Sequence, residues 1–111
     1  MNKIFIISSK PISVNSMRKG RTFLTSEYER YRDMAVWELF GQKPSKNESK
    51  ELKVEIRYFL KSLHRADIDN YAKGVIDACT KAGLWVDDRY ITELILKKIK
   101  SDKDYVEIEI L

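Results

Sequence analysis

Residues 52–83 read LKVEIRYFLKSLHRADIDNYAKGVIDACTKAG, and the hydrophobic period changes partway along this stretch. Apolar and more polar residues alternate over 52–59, a period of two that predicts a strand with one buried face. Over about 70–82 the apolar spacing becomes helical, and Gly83 is placed to end that helix. A strand that leads into an amphipathic helix is typical of an α/β fold. The predicted inner stripe of the helix comprises Val75, Ile76, Cys79 and Ala82.

The rest of the chain supplies three further strands and one further helix. Residues 4–7 are β-branched and aromatic, which predicts a buried strand. Two more strands are predicted at 91–99 and 105–111, and a helix is predicted at 26–40. The order is therefore β-α-β-α-β-β. It predicts a single α/β domain over residues 1–111, with a mixed β-sheet and helices packed on it.

The first predicted helix has signals at both ends. Ser26 and Glu29 have the spacing of a capping box, with Ser26 at the N-cap. Gly41 is placed to end the helix, before a polar loop. The apolar face of this helix is predicted to comprise Tyr31, Met34, Ala35 and Trp37.

The chain is basic, and its first quarter lacks acidic residues. Its 111 residues carry a net charge of +4, and none of residues 1–26 is acidic. Two interpretations fit this pattern: an ordinary solvated loop, or a flexible arm that lies on the phosphates of a nucleic acid. The basic tip of this arm comprises Arg18, Lys19 and Arg21.

Cysteine content and hydropathy limit the cellular setting. Cys79 is the one cysteine, so a disulfide within the chain is impossible and a cysteine-based zinc site is not supported. The apolar run at 4–7 is too short for a signal-peptide core or a membrane span. We therefore expect no membrane association, and a reducing cytoplasm fits the cysteine content.

Carboxylates cluster around the second predicted helix. Asp67 and Asp69 precede it, two residues apart, so in an extended chain their side chains leave on the same side. Lys73 lies one helical turn after Asp69. Asp87 and Asp88 precede the next strand, and in a small domain that loop can approach the start of the helix. Gathered carboxylates predict a site for magnesium or manganese, because these hard cations prefer carboxylate oxygens and keep waters that a phosphate can displace.

The same residues also have a purely structural interpretation. Aspartate commonly precedes helices because it caps them and favours the positive end of the helix dipole. The two aspartates at 87–88 can form an ordinary turn, and Lys73 can pair with Asp69 or Asp77. Spacing alone leaves both interpretations open. His64, the one histidine, adjoins this region and is assigned no role in the chemistry.

Residues 65–78, RADIDNYAKGVIDA, and residues 82–88, AGLWVDD, together resemble the signature of the RusA family of Holliday junction resolvases. The shared elements are an Asp-x-Asp-Asn motif, a lysine three residues later, an Asp-Ala pair, and a turn that combines glycine, an aromatic residue and two aspartates. Residues 11–15, PISVN, also resemble the opening segment of the family. The resemblance covers most of the chain.

This resemblance implies a RusA-like fold and a crossover junction endodeoxyribonuclease of DNA recombination and repair. Such an enzyme cuts four-way DNA junctions with Mg²⁺, or with Mn²⁺ in its place. The catalytic carboxylates would be Asp67, Asp69 and Asp88, with Asp87 as the less certain member of its pair, and the essential lysine would be Lys73. The resemblance also implies a homodimer, which the two-fold symmetry of a junction independently favours.

The predicted DNA contacts follow from the basic arm and from the neighbourhood of the carboxylates. Phosphate contacts would position the DNA without reading its sequence. Two other functions remain open: a branched-DNA-binding protein without catalysis, and a nuclease that prefers forks or flaps. The predicted DNA-binding residues are Asn15, Arg18, Lys19, Arg21, Arg65, Asn70 and Arg89.

Overall fold

The computed structural model describes residues 3–13, 18–19 and 23–111. Within these residues, two α-helices and one main sheet account for most of the backbone. The strands are β1 (Ile4–Ile7), β2 (Arg18–Lys19), β3 (Phe23–Leu24), β4 (Leu52–Leu60), β5 (Ile91–Lys100) and β6 (Tyr105–Ile110). The α-helices are α1 (Ser26–Gly41) and α2 (Ala72–Ala82), and two short 3₁₀ helices lie at Ile68–Tyr71 and Asp88–Tyr90.

The main sheet is mixed, as predicted. Its strand order is β1-β6-β4-β5, and β2 and β3 form a separate short antiparallel pair that the sequence pattern did not predict. Strand β6 runs antiparallel to both β1 and β4, whereas β4 and β5 are parallel. The α/β fold class is therefore confirmed.

The core lies between the helices and one face of the sheet. The predicted alternation in β4 is confirmed, since Leu52, Val54 and Ile56 are buried and the residues between them are not. Helix α2 buries Val75 and Cys79 against the sheet. It ends at Gly83, whose φ of 86° is in the left-handed region that glycine adopts at little cost.

Helix α1 corrects two details of the prediction. Its N-cap is Thr25, one residue earlier than expected, and the hydroxyl of Thr25 accepts a hydrogen bond from the backbone N–H of Tyr28 at 3.1 Å. Met34 and Trp37 are 55% and 82% exposed, so they lie off the buried stripe. The buried residues of α1 instead follow Ala35 at intervals of three or four positions, the spacing that places residues on one face of a helix. The buried residues of α1 are Tyr28, Tyr31, Ala35 and Leu39.

The connection from β4 through α2 to β5 determines at which end of the sheet each of the two loops that flank α2 lies. Because β4 and β5 are parallel, α2 starts near the end of β4 and returns the chain to the start of β5. Leu52, at the start of β4, pairs with Ile91, and Leu60 pairs with Lys100. The two loops that flank α2 are therefore at opposite ends of the sheet. None of the helices in the described part of the chain is long and apolar enough to cross a membrane.

Candidate active site and DNA-binding surface

Asp67 and Asp69 lie together where the chain leaves the end of β4. Asp67 precedes the 3₁₀ helix Ile68–Tyr71 in an extended conformation, with φ −67° and ψ 150°, and its side chain makes no capping hydrogen bond. Asp69 lies in the first turn of that helix, and both side chains are exposed. The capping interpretation therefore does not account for Asp67. The N-cap position of α2 is occupied by Tyr71 and not by an aspartate.

Asp87 and Asp88 differ in their structural roles. The carboxylate of Asp87 accepts a hydrogen bond from the backbone N–H of Arg89 at 2.9 Å, and so caps the 3₁₀ helix Asp88–Tyr90. This bond, which favours the ionised form, lowers the pKa of Asp87 below its ordinary value. Asp88 lines a cavity of about 290 Å³ beside Ile76 and Leu94. Asp87 therefore has a structural role as a helix cap, whereas Asp88 is not a cap and lines a small cavity.

The structure does not bring Asp88 to Asp67 and Asp69 within one chain. Asp67 lines a different cavity, of about 760 Å³, at the other end of α2. The length of α2 separates the two ends by about 16 Å, whereas two oxygens bound to one magnesium ion are at most about 4 Å apart. The described residues contain no group of three or more carboxylate, histidine or cysteine side chains that could hold a metal ion. The expectation that the loop before β5 approaches the start of α2 is therefore wrong.

Lys73 makes a specific contact in the first turn of α2. Its ammonium lies 3.3 Å from a carboxylate oxygen of Asp77, one turn further along the helix. The other carboxylate oxygen of Asp77 accepts a hydrogen bond from the hydroxyl of Tyr28 at 3.0 Å. Of the two pairings that spacing allowed, the structure has the one with Asp77. Tyr28 was not predicted, because it comes from α1 and no sequence pattern links it to α2.

The first turn of α2 is closely packed at Gly74. Gly74 follows Lys73 on α2 and is buried against Ile12 and Tyr28. A Cβ atom at position 74 would lie 3.0 Å from Cγ2 of Ile12 and 3.9 Å from Cε1 of Tyr28. Glycine therefore leaves room for the side chain of Ile12 against the first turn of α2, whereas a side chain at this position would make only ordinary contact with Tyr28.

Predicted DNA contacts are divided between the two ends of the domain. Arg65 and Asn70 line the 760 Å³ cavity together with Asp67, and two cations outside the predicted DNA contacts, Lys10 and Arg30, line it as well. These cations surround the carboxylate end of the site, which suits a phosphate backbone. Nothing in the sequence indicated that Lys10 and Arg30 lie beside Asp67, because they come from segments that are distant from it in the chain.

Arg89 lies at the opposite end, next to Asp88. Its exposed guanidinium donates a hydrogen bond to the hydroxyl of Tyr90 at 2.9 Å and lies over the Tyr90 ring. Asn15 and Arg21 lie outside the described residues. Arg18 and Lys19 form strand β2, and only their backbone is described.

Comparison with known proteins identifies clear relatives. A family model described as "Endodeoxyribonuclease RusA" matches residues 8–111. The crossover junction endodeoxyribonuclease rusA of Enterobacteria phage 82 is 31% identical over 85 residues, which cover 77% of this chain and 71% of the phage protein. The crossover junction endodeoxyribonuclease RusA of Escherichia coli strain K12 is 29% identical over the same length and the same shares of the two chains. The matched span includes both aspartate pairs and Lys73.

Proposed function

The chain belongs to the RusA family of endodeoxyribonucleases, and on that premise we propose that it resolves four-way DNA junctions. The reaction is hydrolysis of one phosphodiester in each of two symmetric strands, and it depends on a divalent metal ion. The observation that carries this proposal is the family match over residues 8–111. The exposed carboxylate of Asp67, which lines a cavity together with Lys10, Arg30 and Arg65, supports it, because cations attract the phosphate backbone that the carboxylates would act on.

The donor chemistry of the aspartates suits magnesium or manganese. Asp67 and Asp69 present exposed carboxylates that lie close together in the chain, and magnesium is usually held by one or two carboxylates together with waters and substrate phosphates. Bound there, the ion would supply Lewis acidity that activates water and neutralises charge on the phosphate. Asp67, Asp69 and Asp88 are the proposed metal ligands, and Asp87 is left to its capping role.

The third carboxylate needs a second subunit. Within one chain Asp88 lies at the far end of α2, so it can complete the site only if it belongs to another copy. We therefore propose a homodimer in which Asp67 and Asp69 of one protomer act with Asp88 of the partner subunit. A two-fold axis generates two such sites, which matches the two symmetric cuts that a junction requires.

The remaining residues bind and position the DNA. Arg65, Lys10 and Arg30 hold phosphates beside Asp67, and Asn70 supplies a polar contact at the same cavity. Lys73 stabilises the negative charge that develops on the phosphoryl oxygens in the transition state, a task that depends on where its ammonium is held. Asp77 and Tyr28 hold it through the contacts described above.

The proposal is tested with a labelled four-way junction, magnesium and the purified chain. We expect paired nicks at symmetric positions, dependent on magnesium or manganese and abolished by a chelator. Junctions, forks, flaps and linear duplex of the same sequence are compared in parallel. If forks or flaps are cut faster than junctions, the chain is a nuclease that prefers those substrates. If the chain binds junctions but does not nick them under any metal or pH condition, it is a DNA-binding protein without catalysis.

Asp77→Asn should slow junction cleavage about tenfold, because the neutral amide no longer attracts the ammonium of Lys73 and leaves it mobile. Junction affinity and melting temperature should change little, since the side chains of Lys73 and Asp77 are 56% and 27% exposed. Tyr28→Phe, which removes only the supporting hydroxyl, should have a smaller effect in the same direction.

A double-mutant cycle separates positioning from a general structural effect. If Asp77 acts through Lys73, then Asp77→Asn adds no further loss to Lys73→Ala, because the group that it positions is already absent. Fully additive losses in the cleavage rate would show that Asp77 acts independently of Lys73.

A further inference from the structure

Lys98 lies near the end of β5 and contacts the β4–α2 loop, residues 61–67. It pairs in register with Tyr58, a buried residue of β4, so its side chain leaves the sheet on the face that carries the core. Its ammonium donates hydrogen bonds to the carbonyl of Leu63, at 2.7 Å, and to the carbonyl of Ala66. Asp67 follows Ala66 directly, so Lys98 holds the backbone that carries a proposed metal ligand.

The partners of the Lys98 ammonium are unusual for a lysine of this chain. In the part of the chain that the structure describes, no carboxylate lies within ion-pair distance of it, whereas Lys53, Lys73 and Lys97 each lie beside one. A half-buried ammonium loses part of its hydration and is stable only where hydrogen bonds replace it. An apolar side chain would fill the same space without that cost, so the ammonium is explained by the carbonyls that it holds.

The first residue of the β4–α2 loop is anchored by other side chains. The backbone N–H of Lys61 donates a hydrogen bond to the carboxylate of Asp104 at 2.8 Å. The carbonyl of Lys61 accepts a hydrogen bond from the ammonium of Lys100. Among the hydrogen bonds from side chains to the backbone of this loop, those nearest to Asp67 are made by Lys98. The two halves of the loop therefore have separate anchors, and each can be removed without the other.

We propose that Lys98 is a positioning residue for the metal site, and that its ammonium fixes the loop so that Asp67 and Asp69 are held in place before the ion binds. The inference deepens the proposed function and rests on it for the identity of the ion. The side chain of Asp67 makes no capping hydrogen bond, so its placement comes from the backbone. Ligands that are already held in place lose less conformational freedom when the ion binds, so the ion binds more tightly.

Hydrogen exchange tests the anchoring without metal, DNA or catalysis. The backbone N–H of Asn70 donates to the carbonyl of Asp67 at 3.0 Å, so its exchange rate reports on order next to the aspartate pair. Lys98→Met keeps an apolar stem and removes the ammonium, and it should make the amide of Asn70 exchange about tenfold faster. The amide of Lys61 should exchange at the parental rate, because Asp104 and not Lys98 holds it.

Metal affinity gives a second measurement. Lys98→Met should weaken the binding of Mn²⁺ about tenfold in a calorimetric titration without DNA, the size of effect that groups supporting a metal ligand commonly have. The Mg²⁺ concentration for half-maximal cleavage should rise by a similar factor, while the rate at saturating Mg²⁺ changes little. Lys97→Met is the matched control, because it removes a neighbouring ammonium that is paired with Glu55 at 3.5 Å and does not contact the loop.

Chemical rescue separates the ammonium of Lys98 from the packing of its stem. Alkylation of Lys98→Cys with 2-bromoethylamine restores an ammonium at nearly the same reach, whereas iodoacetamide adds a neutral amide of similar bulk. Cys79 is fully buried, so in the folded chain the reagents modify position 98 alone, which mass spectrometry verifies. The aminoethylated variant should regain slow exchange at Asn70 and most of the affinity for Mn²⁺, and the amide variant should regain neither.

The outcomes separate this inference from the proposed function. Parental exchange at Asn70 in Lys98→Met would overturn the anchoring, whether or not the chain cuts junctions. Equally faster exchange at Asn70 and Lys61 would indicate a general loss of stability and would overturn the specific role of Lys98. Faster exchange at Asn70 with unchanged affinity for Mn²⁺ would overturn its role at the metal site. Failure of the parent chain to cut junctions would overturn the proposed function, while exchange at Asn70 would still decide whether Lys98 anchors the loop.

Discussion

Asp69→Asn should reduce the rate of junction cleavage by about 10³-fold, which corresponds to the several kcal/mol that a metal-held reaction centre contributes. The substitution removes one negative charge from a proposed metal ligand without changing the size of the side chain. Asp69 is exposed in the first turn of its 3₁₀ helix, so folding should be unaffected. Junction binding should be retained or strengthened, because a negative charge beside a phosphate has been removed.

The measurement pairs single-turnover cleavage with a binding assay in calcium or without metal. Glu48→Gln is the matched control, since it neutralises an exposed acid in the loop between α1 and β4. That variant should cut at the parental rate. Parental cleavage by Asp69→Asn would remove Asp69 from the site, and equal loss in both variants would point to a general effect of net charge.

The main secondary structure was predictable because local patterns determine it. The period of two in β4 and the glycine that ends α2 were correct, and so was the mixed α/β architecture. The buried face of α1 was predicted only in part, since Tyr31 and Ala35 are buried as expected but Met34 and Trp37 are not. The exposed position of Trp37 goes against the usual preference of aromatic residues for the core, so hydrophobicity alone placed it wrongly on the buried face.

The site was only partly predictable, because proximity in three dimensions is not a local property. Asp67, Asp69 and Lys73 are sequence neighbours, and the structure keeps them at one end of α2. Asp88 follows α2 closely in sequence, yet a parallel crossover takes it to the opposite end of the sheet. Tyr28 was missed for the converse reason, since it reaches Asp77 from 49 positions away in the sequence.

The separation of the carboxylates gives the sharpest test of how the site is assembled. Asp69→Asn and Asp88→Asn should each be inactive as homodimers. Their mixed dimer should be active, because one of its two sites then combines the intact aspartate pair of the Asp88→Asn chain with the intact Asp88 of the Asp69→Asn chain. The other site carries both substitutions. If the ligands instead came from one chain, both sites of the mixed dimer would be dead.

Co-expression or refolding of the two variants together provides the mixed dimer. Random association makes half of the dimers mixed, so about a quarter of the parental number of intact sites should return. Their product should be a single nick rather than paired cuts, because each mixed dimer has one working site. A mixture that stays inactive although the subunits have exchanged would contradict a site shared between protomers. Among the described residues of one chain, no three carboxylate, histidine or cysteine side chains are grouped so that they could hold a metal ion. An inactive mixture would therefore also remove Asp88 from the metal site.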